Sequence, residues 1–310
     1  MKKLFFSVLR GAGVARLVSW WHRDCTIFLC YHSVTNWPRL IPHEFKLHMS
    51  ASLFTKHLDY LQRHYRVISL GEYLEARSAR RRLPRYTVVL TFDDGTRNFL
   101  TVVAPILRER RLPATAFIIT KSTSDREDSL FADEWSPIDD HLHLSWSEIR
   151  ALAATPGIEI GSHSHTHPDL TRVTRDEAMA ELRDSLAAIA EQTGNVRTAL
   201  AYPHGKASAS VRELAASLGY SCAFTGELGA NDAESDLYDL RRVVIAGDDD
   251  PDTFAARVSG LTWWYDRLRA AFRRTSALSG KASTTRDAGP RTHEEAGFVQ
   301  MKKPSSESIP

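Results

Sequence analysis

Two short stretches of this sequence carry side chains whose types and spacing suit hydrolytic chemistry. Thr91-Phe92-Asp93-Asp94-Gly95 closes the apolar run Thr87-Val88-Val89-Leu90. Adjacent carboxylates raise each other's proton affinity, so such a pair needs a cation or hydrogen bonds to share its charge. Where a chain turns off a strand the two carboxyls can diverge, one towards a cation and the other free to move a proton. The competing explanation is a loop in which both aspartates cap the next helix, aided by Gly95. Further on, Gly161-Ser162-His163-Ser164-His165-Thr166-His167-Pro168 packs three histidines into five residues. His163 and His167, four apart, can converge on one ion from a helical turn or a tight loop. Two imidazoles and one carboxylate make a three-ligand site with positions left for water and substrate. A polar loop capping the next helix is the alternative for the histidines.

Alternating strands and helices must position these groups. Thr26–Tyr31, Thr87–Phe92, Thr115–Ile119, Gly157–Gly161, Ala199–Tyr202 and Ser221–Phe224 read as short β-rich apolar strands, with Val67-Ile68 a possible start of another. Helices are expected over Phe54–Tyr65, Val102–Arg110, Arg175–Gln192, Val211–Leu218 and from Asp252 through Arg257. Ser145 and Glu148 stand in capping-box spacing at the start of another. This alternation implies parallel strands joined by right-handed crossovers. No Gly-x-Gly-x-x-Gly follows a strand, so a β/α barrel, incomplete or distorted, fits better than an open dinucleotide-binding sheet. In such barrels chemistry gathers at the carboxyl ends of the strands. His32, Asp93, Asp94, His163 and Pro203 all fall just past predicted strands.

The whole chain sets outer limits. Its 310 residues, 43% hydrophobic, suffice for one large domain with appendages or two smaller ones. A formal net charge of +2 gives no reason to expect a nucleic-acid partner. Cys25, Cys30 and Cys222 make neither a disulfide framework nor a four-ligand zinc site, so a metal would be held by His and carboxylate. At the amino end Arg10 and Arg16 interrupt a run too short for a signal sequence or a membrane span. Leu4, Val8, Leu9, Leu17, Val18, Trp20 and Trp21 read instead as an amphipathic helix over residues 1–24. It would dock on the protein's own core or rest on an acidic membrane surface. A cytoplasmic or membrane-peripheral location is expected over secretion. Residues 25–270 form the expected catalytic domain, with its core motifs between 87 and 245, and 276–310 a disordered tail.

The paired motifs Thr-Phe-Asp-Asp-Gly and His-Ser-x-x-His resemble those of the polysaccharide deacetylases, carbohydrate esterase family 4, over about Thr26 to Gly260. The resemblance implies a distorted β/α barrel and metal-dependent removal of N-acetyl groups. By position it makes Asp93 the general base and Asp94, His163 and His167 the ligands of one divalent metal. That metal is expected to be Zn, although Co or Ni suits the same donors. Leu200-Ala201-Tyr202-Pro203-His204-Gly205 is similar to the family's Arg-x-Pro-Tyr segment. It makes Tyr202 and the His204 N–H candidates for substrate and oxyanion binding. Ala201 replaces the arginine that orients the base, and the family's late acid histidine has no clear counterpart. Both departures match the subgroup that includes poly-β-1,6-N-acetylglucosamine deacetylases. There a Tyr-His-x-Val segment, here Tyr31-His32-Ser33-Val34, supplies the acid, and Leu240-Arg241-Arg242-Val243 is similar to the segment that orients the base. The resemblance therefore implies His32 as acid and Arg242 as the orienting residue. Trp135 and Trp146 offer rings that could stack on sugar faces, although buried packing is the commoner use of a single Trp. An N-acetylated glycan is the expected substrate. Hydrolysis of another non-peptide C–N bond, or an inactive carbohydrate-binding module, are the competing functions.

Overall fold

The computed structural model describes residues 14–36, 47–123 and 143–263. Residues 1–13, Trp135 and the expected tail lie outside the described residues. In chain order the elements are α1 (Val14–Trp21), β1 (Thr26–Tyr31), β2 (Ser33–Thr35), β3 (His48–Ser50), α2 (Ala51–His64), β4 (Arg66–Ile68) and α3 (Leu70–Ser78). There follow β5 (Thr87–Phe92), α4 (Ala104–Arg110), β6 (Ala114–Ile118), α5 (Trp146–Ala153), β7 (Ile158–Ser162) and α6 (Arg175–Thr193). The last are β8 (Leu200–Ala201), α7 (Ala209–Ser217), β9 (Ala223–Leu228), β10 (Leu240–Val244) and α8 (Pro251–Val258). Local chemistry explains several boundaries. Ser145 with Glu148 and Thr174 with Glu177 form reciprocal capping boxes at the starts of α5 and α6. Gly194 ends α6 in the left-handed conformation that side chains resist. The helix expected from Val102 is entered through a π-turn over Phe99–Val103.

Eight parallel strands run in the order β1-β10-β9-β8-β7-β6-β5-β4. β1 also pairs with β5 along its length, from Thr26 opposite Thr87 to Tyr31 opposite Phe92, which returns the sheet on itself. The ring is irregular. β4 pairs with the first half of β5 and β6 with its end, while β7 and β8 share only the Ser162–Leu200 position. This is the distorted β/α barrel expected from the sequence.

Strand alternation divides the side chains between two cores, which is why these strands read as unbroken apolar runs. Ile27, Leu29, Tyr31, Val88, Leu90 and Phe92 pack in one large cluster with residues of α2, α4 and α5. Phe28, Val89, Phe117, Ala201, Phe224 and Leu240 form a second cluster inside the ring. Leu70 and Tyr73 of α3 join that inner cluster, and the Glu159 carboxylate of β7 accepts from the Leu70 and Gly71 N–H groups. α3, which the sequence reading missed, thus closes the amino-terminal mouth of the barrel. Gly161 is required by this interior, since a Cβ there would stand 2.4 Å from the Phe117 ring.

Candidate active site

Asp93 continues the inward face of Val89 and Thr91 one step past β5, whereas Asp94 leaves it with φ 73°. Neighbours in sequence therefore meet different partners. Asp93 is 4% exposed, and Arg242 of β10 grips it bidentately, Nη1 to Oδ1 at 2.7 Å and Nη2 to Oδ2 at 2.7 Å. The Cys30 thiol donates to the same Oδ2 at 3.3 Å. Arg242 itself lies above the inner aromatic layer, 5.9 Å from the Phe117 centroid and 5.7 Å from that of Phe224, and donates from Nε to the Thr225 carbonyl. Burial alone would raise the Asp93 carboxyl. Arg242, with His163 next, outweighs it and holds Asp93 well below the usual carboxylate range. Asp93 is thus an anion held in one orientation.

Asp94, His163 and His167 present ligand atoms that all lie within 4.8 Å of one another. His163 reaches this place from the end of β7, and its Nδ1 contacts the Ala201 carbonyl at 2.7 Å. A carbonyl only accepts, so Nδ1 carries the proton and Nε2 presents its lone pair. That Nε2 lies 3.2 Å from His167 Nε2 and 3.6 Å from Asp94 Oδ1. Ligands bonded to a tetrahedral Zn at about 2.0–2.2 Å stand about 3.4 Å apart, so the set fits one ion. Burial, then His163, lowers His167 to about 4, which keeps its imidazole neutral and available as a ligand near neutral pH.

The histidine loop is held by α6. Glu181 Oε2 accepts from the N–H groups of His165 and Thr166 at 3.0 and 2.7 Å, and Oε1 accepts from the Thr166 hydroxyl. Ser164 Oγ accepts from the His167 N–H at 3.0 Å. Both Ser164 and His167 have φ of 64°, a conformation that non-glycine residues adopt only when their surroundings impose it. His165 Nδ1 meets Thr120 Oγ1 at 2.9 Å and points away from the ligand set.

His32 stands beside Asp93, since Cys30, His32 and Asp93 also present atoms within 4.8 Å of one another. Burial lowers its basicity, with Asp93 and Asp94 acting in the opposite direction. The His204 ring lies 4.7 Å from that of His167, and His204 has φ 57° in the turn Pro203–Gly205. That turn can lie against β9 because glycines meet there, a Cβ on Gly205 falling 2.5 Å from Gly226 Cα.

Tyr202 is not at the site through its side chain. The ring is wholly buried against α6 and α7, among Leu182, Val211 and Leu214, and its hydroxyl donates to the Tyr238 carbonyl. Strand alternation turns Tyr202 outward when Ala201 faces inward. Trp146 is buried in the outer core. Sequence reasoning missed Cys30 and Glu181. Cys30 was within reach, being two residues before His32 and so on the same face of β1. Nothing local marks Glu181.

Residues 80–223 match the family described as Polysaccharide deacetylase. Over that stretch the chain is similar to polysaccharide deacetylase domains. It is 29% identical over 223 residues to the poly-beta-1,6-N-acetyl-D-glucosamine N-deacetylase of Escherichia coli (strain K12), covering 63% of this chain and 33% of that protein. The chain thus spans about a third of that relative's length. Among solved structures, the Streptococcus pyogenes deacetylase PplD in complex with acetate superposes with TM-score 0.64 and 24% identity, over 76% of this chain and 99% of that one. IcaB from Ammonifex degensii gives TM-score 0.61 and 22% identity, over 76% and 97%. Both share the fold.

Proposed function

We propose that this protein is a metal-dependent hydrolase that removes N-acetyl groups from an N-acetylated glycan. The observation that carries the reading is the separation of labour at one strand end. Asp93 is buried, ionised and clamped by Arg242, while Asp94, His163 and His167 converge on a metal-sized space beside it. A divalent metal in that set, Zn by first choice, would polarise the acetamide carbonyl and acidify the attacking water.

Within this reading Asp93 takes the water's proton as the bond to carbon forms. Arg242 positions Asp93 and keeps it ionised, so that it is competent as a base over the working pH range. The His204 N–H steadies the developing oxyanion. His32, next to Asp93, returns a proton to the leaving nitrogen, which an amide needs before its C–N bond breaks. The name of the Escherichia coli relative makes a β-1,6-linked N-acetylglucosamine polymer the first substrate to try.

The test is acetate release by protein stripped of metal and reloaded with Zn, Co or Ni. Its substrates are acetylated β-1,6-linked glucosamine oligomers, chitooligosaccharides and small amides. Release from a glycan only after reloading supports the reading. Turnover of small amides alone would transfer the site to another C–N hydrolase, and binding of glycans without any release would leave a carbohydrate-binding module.

A further inference from the structure

We propose that the amino-terminal end of the barrel, opposite the cleft, docks on an anionic phospholipid surface. Two neighbouring elements carry the argument. α1 packs Val14 and Val18 against Ala256 and Leu261, yet leaves Leu17, Trp20 and Trp21 exposed at 64%, 50% and 71%. These are three of the few large apolar side chains exposed among the described residues. Trp20 also carries the Arg23 guanidinium over its ring at 3.9 Å, an amphipathic pairing suited to the lipid headgroup level.

The second element is the segment between α3 and β5, where Arg80, Arg81, Arg82 and Arg85 are exposed. The two elements are tied together. Tyr86 N–H donates to the Arg23 carbonyl, and Arg85 lies 3.4 Å from Asp24. The side chains of Arg80, Arg81 and Arg82 have no ion-pair partner among the described residues. Of the carboxylates at this mouth, Asp24 pairs with Arg23 and Arg85 and Glu159 caps α3, while Glu75, Asp232 and Glu234 stand exposed along the same cavity. Sequence extends the same charge, since Met1 to Arg23 holds five lysines and arginines and no acidic residue. Apolar anchors flanked by a run of exposed arginines fit an acidic bilayer better than a neutral one. No described helix is long and apolar enough to cross a membrane, so contact would be at the surface.

Topology fixes what this does to the cleft. α1 leads into the start of β1 and the arginine segment into the start of β5, two parallel strands in register. His32 and Asp93 follow the other ends of those strands, six residues and so about 20 Å away. Docking would hold the cleft off the bilayer and facing outward, where it meets a polymer rather than a lipid headgroup.

The experiment is co-sedimentation of the full chain with vesicles of phosphatidylcholine alone or with about a third phosphatidylglycerol, at low and high salt. Binding should require the anionic lipid and weaken with salt. A combined L17S/W20S/W21S variant and a combined R80S/R81S/R82S variant should each lose at least about tenfold in vesicle affinity with unchanged thermal midpoints. The proposal is overturned by equal binding to neutral vesicles, or by vesicle binding that neither variant alters. A dimer dissolved by the apolar variant without vesicle binding would give the face to a second copy instead. Heparin or RNA retention lost in the arginine variant, again without vesicle binding, would give it to another polyanion.

Discussion

Asp93 and Asp94 are chemically the same and adjacent in the chain, yet Arg242 clamps the first while the second faces His163, and the proposed roles divide along that line. Asp93→Asn should keep the metal and lose turnover by about 10²–10⁴-fold, because only the proton acceptor is removed. Asp94→Ala should lose metal and turnover together, read by metal stoichiometry and acetate release on the same preparations. Full activity in either folded variant would sink the assignment. Arg242 has a separate signature in stability. Removing one partner of a buried ion pair leaves an uncompensated charge at a cost of about 3–5 kcal/mol, so Arg242→Met should lower the unfolding free energy by that order. Adding Asp93→Asn to Arg242→Met should recover part of the loss, since the stranded charge is gone. Additive losses in chemical denaturation would show that the two do not act as a pair.

At the scale of elements, the histidine loop depends on a helix that contributes no ligand. Glu181 fixes three donors of the loop, and with them the positive φ angles of Ser164 and His167. Residues that orient ligands typically contribute 10–100-fold in metal affinity, so Glu181→Ala should weaken Zn binding by about that factor in calorimetry. Glu181→Gln keeps an acceptor oxygen and should lie between the two. Wild-type affinity in Glu181→Ala would mean that the loop holds its shape without α6. The capping boxes of α5 and α6 were legible because their partners lie three residues apart. The Glu181 contact was not, because it joins residues 15 and 16 apart that only packing brings together. α3 carries the same local signal, Ser69 accepting from the Glu72 N–H three residues on, whereas its second cap, the Glu159 carboxylate of β7, depends on packing.

For the whole molecule, stability has a pH dependence to which a histidine outside the ligand set contributes. His57 of α2 is fully buried, stacked on Phe254 of α8 with centroids 3.8 Å apart. Its Nε2 meets the Asp249 carbonyl at 2.7 Å, so that nitrogen bears the proton and Nδ1 accepts from the Tyr31 hydroxyl. Burial lowers its pKa from 6.5 to about 4, against the opposing pull of the Asp249 carbonyl. Between those values the unfolded chain binds the extra proton, so stability should fall as pH drops from 6.5 towards 4, by up to about 3 kcal/mol from this group. His57→Phe should be less stable near neutrality, with two polar partners stranded, and its loss of stability through that window should be smaller. Denaturation curves of both proteins across the window decide it; identical slopes would exonerate His57. By itself the sequence determined the alternation of strands and helices, the strand-end position of Asp93 and the spacing of His163 and His167, because these follow from periodicity and short-range chemistry. Tertiary structure alone decided that Arg242 meets Asp93, that Glu181 holds the histidine loop and that Tyr202 faces away from the cleft. Those outcomes depend on which strands become neighbours in a closing sheet and which way each side chain turns there, neither of which a linear pattern contains.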